Sequence, residues 1–298
     1  MRILCYDIGG TDTKYGVVED GKIIFKDKFK TEACLGHDNY EKRLLEYGQK
    51  VIDNYEGIEG VAVGVCGSVN IETGDMFLGQ ECNPELLNFN FKQLFKQHFN
   101  LKCIADNDVN TFSQAERYYG AGKEYGTYFV ITIGTGIGGA VIVNNRIWRG
   151  RNFNAGEVGR IPIFNDDVTW ENKASVTALL EEARRRKASL KVENGKDVFD
   201  LYDNNDPTAK QIVTNWFDNL GRGLAVIVYT FNPEVIVIGG GISQRETLFK
   251  ELEEATKKHL VPGFKDTFKI IPAKFLNDGG LIGAYCNYLE YYNQEHNK

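Results

Sequence analysis

The stretch Ile3–Val18, ILCYDIGGTDTKYGVV, has a counterpart in Ile133–Val143, IGTGIGGAVIV. In each, an apolar strand (the second is led in by TYFVITIG, 127–134) meets a Gly/Thr turn and returns along a second strand. Each hairpin is followed by alternating helical and strand patterns. After the first come KIIFKDKFK (22–30) as a third strand and a helix over 39–55, with Leu44, Tyr47, Val51 and Tyr55 at three-to-four spacing. VAVGVCG (61–67) is a strand, NIETGDMFL (70–78) a hairpin and FNFKQLFKQHF (89–99) a helix. KCIADND (102–108) is a strand leading into a helix closed by glycine near 122. After the second hairpin come RIWRG (146–150), helices over 174–186 and 207–229, the strand EVIVIGGG (234–241), a helix from Gln244 to His259, a strand at 268–275 and a helix starting near Gly279. The repetition predicts an α/β protein of two duplicated lobes, 1–122 and 123–298, with a cleft between them and the last helix crossing back to the first lobe.

Composition narrows the function classes. The chain has 298 residues, enough for two compact domains, and a formal net charge of −6. That balance argues against a broad grip on nucleic acid or an anionic membrane. The one dense basic cluster, Arg184–Lys187, follows Glu181 and Glu182 and fits the end of a solvated helix. Six cysteines are scattered without a CxxC pair, and Cys5, Cys66 and Cys103 sit in apolar strand runs. Free thiols in a reducing, cytoplasmic setting are therefore expected. No apolar stretch reaches membrane-spanning length, so neither a nucleic-acid nor a membrane partner is expected.

Three places carry chemistry. In DIGGTDTK, Gly9 and Gly10 let backbone N–H groups approach an anion, Thr11 and Thr13 add hydroxyls, and Lys14 adds a cation. Asp7, at the strand end, could hold the water shell of Mg²⁺. A lone GGT also fits an ordinary hairpin, but a second such turn, Gly134-Thr135-Gly136, heads the other lobe. Two glycine loops facing one cleft suit a polyphosphate. IADNDVN puts Asp106, Asn107 and Asp108 where a strand ends and a helix begins; a carboxylate there can take a hydroxyl proton, and the same residues also fit a helix N-cap. VIGGGIS (237–243) offers close backbone approach to a ring or a phosphate, or is simply a tight βα turn.

The order DIGGTDTK, VAVGVCG, IADNDVN, TIGTGIGGAVIVNNRIWRG, NAGEVG, VIVIGGGIS, NDGGLIGA resembles the ROK family of sugar kinases and related repressors along essentially the whole chain. The resemblance implies the two-lobed actin-like ATPase (ribonuclease H-like) fold and ATP with Mg²⁺ as the phosphoryl source. It implies that Asp7, Gly9, Gly10, Thr11, Lys14, Gly134, Thr135 and Gly136 serve ATP, with Gly240 and Gly241 beside the adenosine. It implies Asp108 as catalytic base and Asn107 as its sugar-binding neighbour. Glu157 and Glu171 fall on sugar-contacting positions of the family, and Gly67 and Asn83 are expected to line the same pocket. The implied reaction is transfer to the 6-hydroxyl of a hexose or N-acylhexosamine, glucose or N-acetylmannosamine among them, by a homodimer. A β-glucoside such as cellobiose is the alternative substrate, and a non-catalytic sugar-responsive regulator is a further alternative. The first strand is expected to begin at Arg2 or Ile3, which leaves no room here for the helix-turn-helix that repressor relatives carry ahead of it.

One departure stands out. Most of the family reads GEIGH, whose histidine binds a structural zinc together with a CxCGxxGC cluster. Here the histidine position holds Arg160, and no cysteine occurs between Cys103 and Cys286. A zinc site of that kind cannot be assembled, so no zinc is expected. Arg160 is expected to anchor the loop through a carboxylate, with Glu171, Asp166 and Asp167 the candidates.

Overall fold

The structure is a computed structural model describing residues 1–32, 36–79, 86–163, 168–186 and 192–295. Cys34, Cys82, Asn83, Asp166, Asp167 and Lys187 lie outside the described residues. The chain divides into two compact units. One comprises Met1–Lys123, Arg149–Ala155 and Asn277–Lys298; the other comprises Glu124–Trp148 and Gly156–Leu276.

In the first unit, β1 (Arg2–Ile8), β2 (Asp12–Glu19), β3 (Lys22–Lys30), β4 (Ile58–Val65) and, further on, β7 (Lys102–Asn107) form a sheet in the order β3-β2-β1-β4-β7. The first three strands run antiparallel, whereas β4 and β7 join parallel to β1. The central strands are apolar on both faces because helices cover both. Leu4, Tyr6, Val61 and Val63 are buried in a core with α1 (His37–Asn54) and α2 (Phe91–Phe99). Gln114 and Asn287 hydrogen-bond between α3 (Asp108–Tyr119) and the terminal helix, Gly279–Glu295, which belongs to this unit. At the open edge, β3 carries Lys22, Lys26, Lys28 and Lys30, charges that discourage pairing with another strand. The hairpin expected at 70–78 starts earlier than expected: β5 (Gly67–Val69) pairs with β6 (Met76–Gly79), so residues 70–75 form the connection rather than a strand.

The second unit repeats this topology. β8 (Tyr128–Ile133), β9 (Ile137–Val143), β10 (Arg146–Ile147), β11 (Ile236–Gly239) and β12 (Ile270–Pro272) are ordered β10-β9-β8-β11-β12. Again three antiparallel strands are followed by two parallel ones. The duplication read from the two glycine hairpins is therefore a duplication of the sheet. Phe129, Ile131, Ile236 and Ile238 pack with Trp216 and Leu220 of the 25-residue helix Pro207–Phe231.

Four local readings need correction. The helix expected at 174–186 is preceded by a short one, α4 (Trp170–Ala174), and α5 starts afresh at Val176 and runs to Arg186. Ser175 makes the break: its hydroxyl accepts the Ala178 N–H (3.1 Å), and its carbonyl accepts the Trp216 indole N–H (2.9 Å). An additional helix, α6 (Gly195–Asp203), starts on an Asn194 capping box and is followed by Pro207–Phe231 as α7. The helix expected from Gln244 begins only at Leu248, as α8 (Leu248–Lys258), which leaves Gly279–Glu295 as α9. Before α8, Gly241–Gln244 forms a 3-10 turn, and Arg245 is drawn aside onto Asp203 and Glu251. Cys5, Cys103 and Cys286 are buried free thiols, while Cys66 lies just past β4 and is partly exposed rather than inside a strand. Among the described residues no helix is long and apolar enough to cross a membrane.

Candidate active site

Residues of the first unit collect where β1, β4 and β7 end, the edge at which parallel α/β sheets present ligand-binding loops. Asp7 and Lys14 are register partners on β1 and β2, and the Lys14 ammonium donates to Asp7 Oδ2 (3.0 Å) and to the Asn277 carbonyl (3.1 Å). Gly9, Gly10 and Thr11 form the turn between those strands. Thr31, which no sequence motif singles out, braces that turn twice: its hydroxyl donates to the Gly9 carbonyl (2.7 Å) and its N–H to the Thr11 carbonyl (2.9 Å). Thr13, expected to offer its hydroxyl to the ligand, is instead fully buried and shares hydrogen bonds with Thr31 and Tyr40.

The Asp106-Asn107-Asp108 triplet divides into three jobs. Asp106 is buried; its Oδ2 takes two N–H bonds from Arg149 (3.0 and 2.7 Å), and its Oδ1 takes the Asn107 N–H (2.8 Å). Asn107 is the N-cap of α3, its side-chain oxygen accepting from the Val109 and Asn110 N–H groups. Its amide nitrogen donates to the Gly67 carbonyl (3.1 Å), so these two expected pocket residues do meet. Asp108 opens the helix and remains partly exposed, with Oδ1 accepting the Val109 N–H (2.9 Å). The helix-cap reading of this motif therefore falls on Asn107. Asn83, the remaining candidate, lies outside the described residues.

In the second unit the turn Gly134-Thr135-Gly136 joins β8 to β9, and the Gly134 carbonyl accepts the Val176 N–H at the start of α5 (2.9 Å). Glu171, on α4, accepts the Ile137 N–H (3.2 Å), which ties it to the end of the same turn. Glu157 precedes a 3-10 turn, Val158–Arg160, and the glycines around it allow backbone-on-backbone packing against β9. A Cβ on Gly156 (φ +102°) would stand 2.3 Å from the Gly139 carbonyl oxygen, and one on Gly159 would stand 2.1 Å from that of Ile137. Burial pushes the Glu157 carboxyl above the usual glutamate range; Arg160 opposes the rise and the neighbouring Glu171 adds to it. Arg160 forms an ion pair with Glu157 at 3.5 Å; of its expected partners, Asp166 and Asp167 lie outside the described residues. The pair is close because residues three apart in a 3-10 turn lie one above the other.

The third glycine turn meets the second. Gly240 has φ 93° and ψ 169°, and a Cβ there would lie 2.3 Å from the Ile133 carbonyl oxygen at the end of β8. By contrast, a Cβ on Gly134 or Gly241 would meet nothing within 4 Å. Protein packing does not demand glycine at those two positions, which leaves room for a ligand to approach the backbone.

Known proteins resemble this chain over nearly its full length. Across 299 residues it is 32% identical to a β-glucoside kinase of Listeria innocua, covering 97% of this chain and 98% of that protein. It is 35% identical to an uncharacterized protein of Clostridium perfringens, with 97% and 98% covered. Among solved structures, a ROK family glucokinase from Streptomyces griseus in complex with glucose and AMPPNP superposes with a TM-score of 0.82 at 25% identity, covering 95% of this chain and 98% of that one. The family model described as the ROK family matches residues 3–289. With both glycine hairpins, the Asn107-Asp108 pair and the Glu157 loop all inside that match, the chain is a member of the ROK family.

Proposed function

We propose that this protein is an ATP-dependent sugar kinase that phosphorylates the 6-hydroxyl of a hexose or N-acylhexosamine, with Asp108 as general base. The observation that supports the reading is the place of Asp108, partly exposed at the first position of α3 where β7 ends. Asp106, two residues before it, is buried against Arg149. As the sugar oxygen bonds to the γ-phosphorus, its proton passes to Asp108 and the bond from phosphorus to the bridging oxygen of ADP breaks. Asn107, Gly67, Glu157 and Glu171 orient the sugar, and Asn83 is proposed to join them. N–H groups of the Gly9–Thr11 and Gly134–Gly136 turns, with Lys14, stabilise the phosphate charge, and Gly240 and Gly241 border the nucleoside. Magnesium bound with the nucleotide would supply further positive charge to the phosphate oxygens. Asp7 suits its water shell, since Lys14 engages only Oδ2 of that carboxylate. The Glu157–Arg160 pair closes this turn locally, and the scheme includes no zinc.

Coupled ADP release tests the reading with glucose, N-acetylmannosamine, N-acetylglucosamine and cellobiose. Sugar-dependent ADP formation with at least one of them is expected, from protein without stoichiometric zinc by elemental analysis. Its absence with all four would remove the proposed activity. A second reading, a β-glucoside kinase, is favoured by the identity to the Listeria protein over nearly its full length. In that case kcat/KM is higher for cellobiose than for glucose.

The raised Glu157 carboxyl sets a pH dependence. A carboxylate with an upward-shifted pKa gains its proton at a higher pH than an ordinary glutamate, so hydroxyl-accepting capacity is lost earlier on acidification. The sugar KM is expected to rise as pH falls through that point, with the KM for ATP unaffected. In Glu157→Gln the acid limb should vanish and KM be elevated at every pH; an unchanged limb would assign the titration to another group.

A further inference from the structure

Arg149 lies in the RIWRG stretch, which the sequence marks only as an extended segment after the second hairpin, yet its side chain makes a dense set of polar contacts near the proposed base. Both Nε and Nη2 donate to one oxygen of the buried Asp106 (3.0 and 2.7 Å), and Nη2 also reaches Asn287 Oδ1 (3.3 Å). The other Asp106 oxygen receives the Asn107 N–H (2.8 Å) and the Asn110 side-chain amide (3.3 Å). Asp106 therefore acts as a bridge, and its carboxylate plane determines the direction of the peptide that leads into Asn107 and Asp108. The backbone of Arg149 contributes as well, since its carbonyl accepts the Ala155 N–H (3.1 Å) and so closes the Arg149–Ala155 loop two residues before Glu157. One residue thus holds the strand end that carries the base and closes the loop that runs into the Glu157 turn.

We propose that Arg149 is a positioning residue for phosphoryl transfer, acting through Asp106 on the aim of Asp108. This rests on the reading of Asp108 as base. Two donors from a rigid fork converge on Asp106 Oδ2 and fix its place while Oδ1 holds the Asn107 N–H, whereas a lysine ammonium supplies a charge without that geometry. A buried Asp106 left without any cation is costly in itself, so the charge-conserving variant and a charge-free pair are both needed.

The experiment uses the full-length protein with ATP·Mg²⁺ and whichever of glucose, N-acetylmannosamine, N-acetylglucosamine or cellobiose it turns over fastest. Arg149→Lys, Arg149→Met, Asp106→Asn, the double variant Asp106→Asn/Arg149→Met and Asp108→Asn are compared for kcat, both KM values and melting temperature. Arg149→Lys is expected to remain folded, with kcat lowered about tenfold or more and the KM for ATP within about twofold. The double variant should be more active than Arg149→Met alone, since the stranded charge is gone and the amide oxygen introduced at position 106 still accepts the Asn107 N–H. Such non-additivity marks residues acting as a unit. Wild-type kcat in Arg149→Lys, or strictly multiplicative effects in the cycle, would overturn the proposal while an inactive Asp108→Asn leaves the base assignment standing. A fully active Asp108→Asn would overturn both.

Discussion

Asp108→Asn is expected to lower kcat for sugar phosphorylation by about 10²–10⁴, the usual contribution of a positioned general base. The exchange keeps the size and shape of the side chain while removing its charge and its capacity to take a proton. Stability should hardly change, because the α3 N-cap is provided by Asn107, which accepts from the Val109 and Asn110 N–H groups. The Asp108 carboxylate also accepts the Val109 N–H (2.9 Å), and an amide oxygen in the same place can do so too. A melting temperature within a few degrees of the parent and a KM for ATP within about twofold are therefore expected alongside the lost turnover. Coupled ADP release with saturating sugar is the measurement, and a variant retaining wild-type kcat would require another base. Asp106→Asn serves as the contrast. That carboxylate neutralises Arg149 and orients the Asn107 peptide, so the variant should lose stability as well as rate.

Gly240→Ala is the second large effect, and it acts on both folding and nucleotide binding. The backbone at φ 93° and ψ 169° is accessible essentially to glycine alone, and forcing an L-residue into it costs about 1–3 kcal/mol. The new methyl would also meet the Ile133 carbonyl oxygen at 2.3 Å, where neither partner is a flexible side chain. The β11 turn must shift away from β8, carrying with it the segment proposed to border the nucleoside. A stability loss of about 2–4 kcal/mol by urea unfolding and a KM for ATP raised about tenfold are expected. Gly241→Ala provides the control, since its Cβ meets no protein atom within 4 Å. Stability should then stay at the parental level, and any rise in the KM for ATP would report the ligand itself. Equal destabilisation by both substitutions would sink the argument from Gly240 geometry.

Sequence alone was sufficient for the duplicated architecture. Two glycine hairpins with apolar flanks demand antiparallel pairing, and the apolar runs at Val61–Val65 and Ile236–Gly239 are too continuous for anything but strands covered on both faces. The candidate residues on glycine turns and strand ends were legible for the same reason, because each is specified by a few consecutive residues. Ser175 breaking a helix is less legible. Its effect depends on the Trp216 indole, which stands 41 residues away.

Tertiary structure decided which carboxylate Arg149 takes. In the linear chain, Asp106 and Asp108 are two acids flanking one asparagine, and composition and spacing do not say which of them meets a cation. Arg149 makes that choice from 43 residues away by burying its fork on Asp106. Likewise the turn of the backbone brings Arg160 onto Glu157, a pairing the linear sequence did not single out. Hydrophobic periodicity and glycine spacing are local signals, whereas charge pairing depends on which groups lose their water together. That is settled only when the chain has folded.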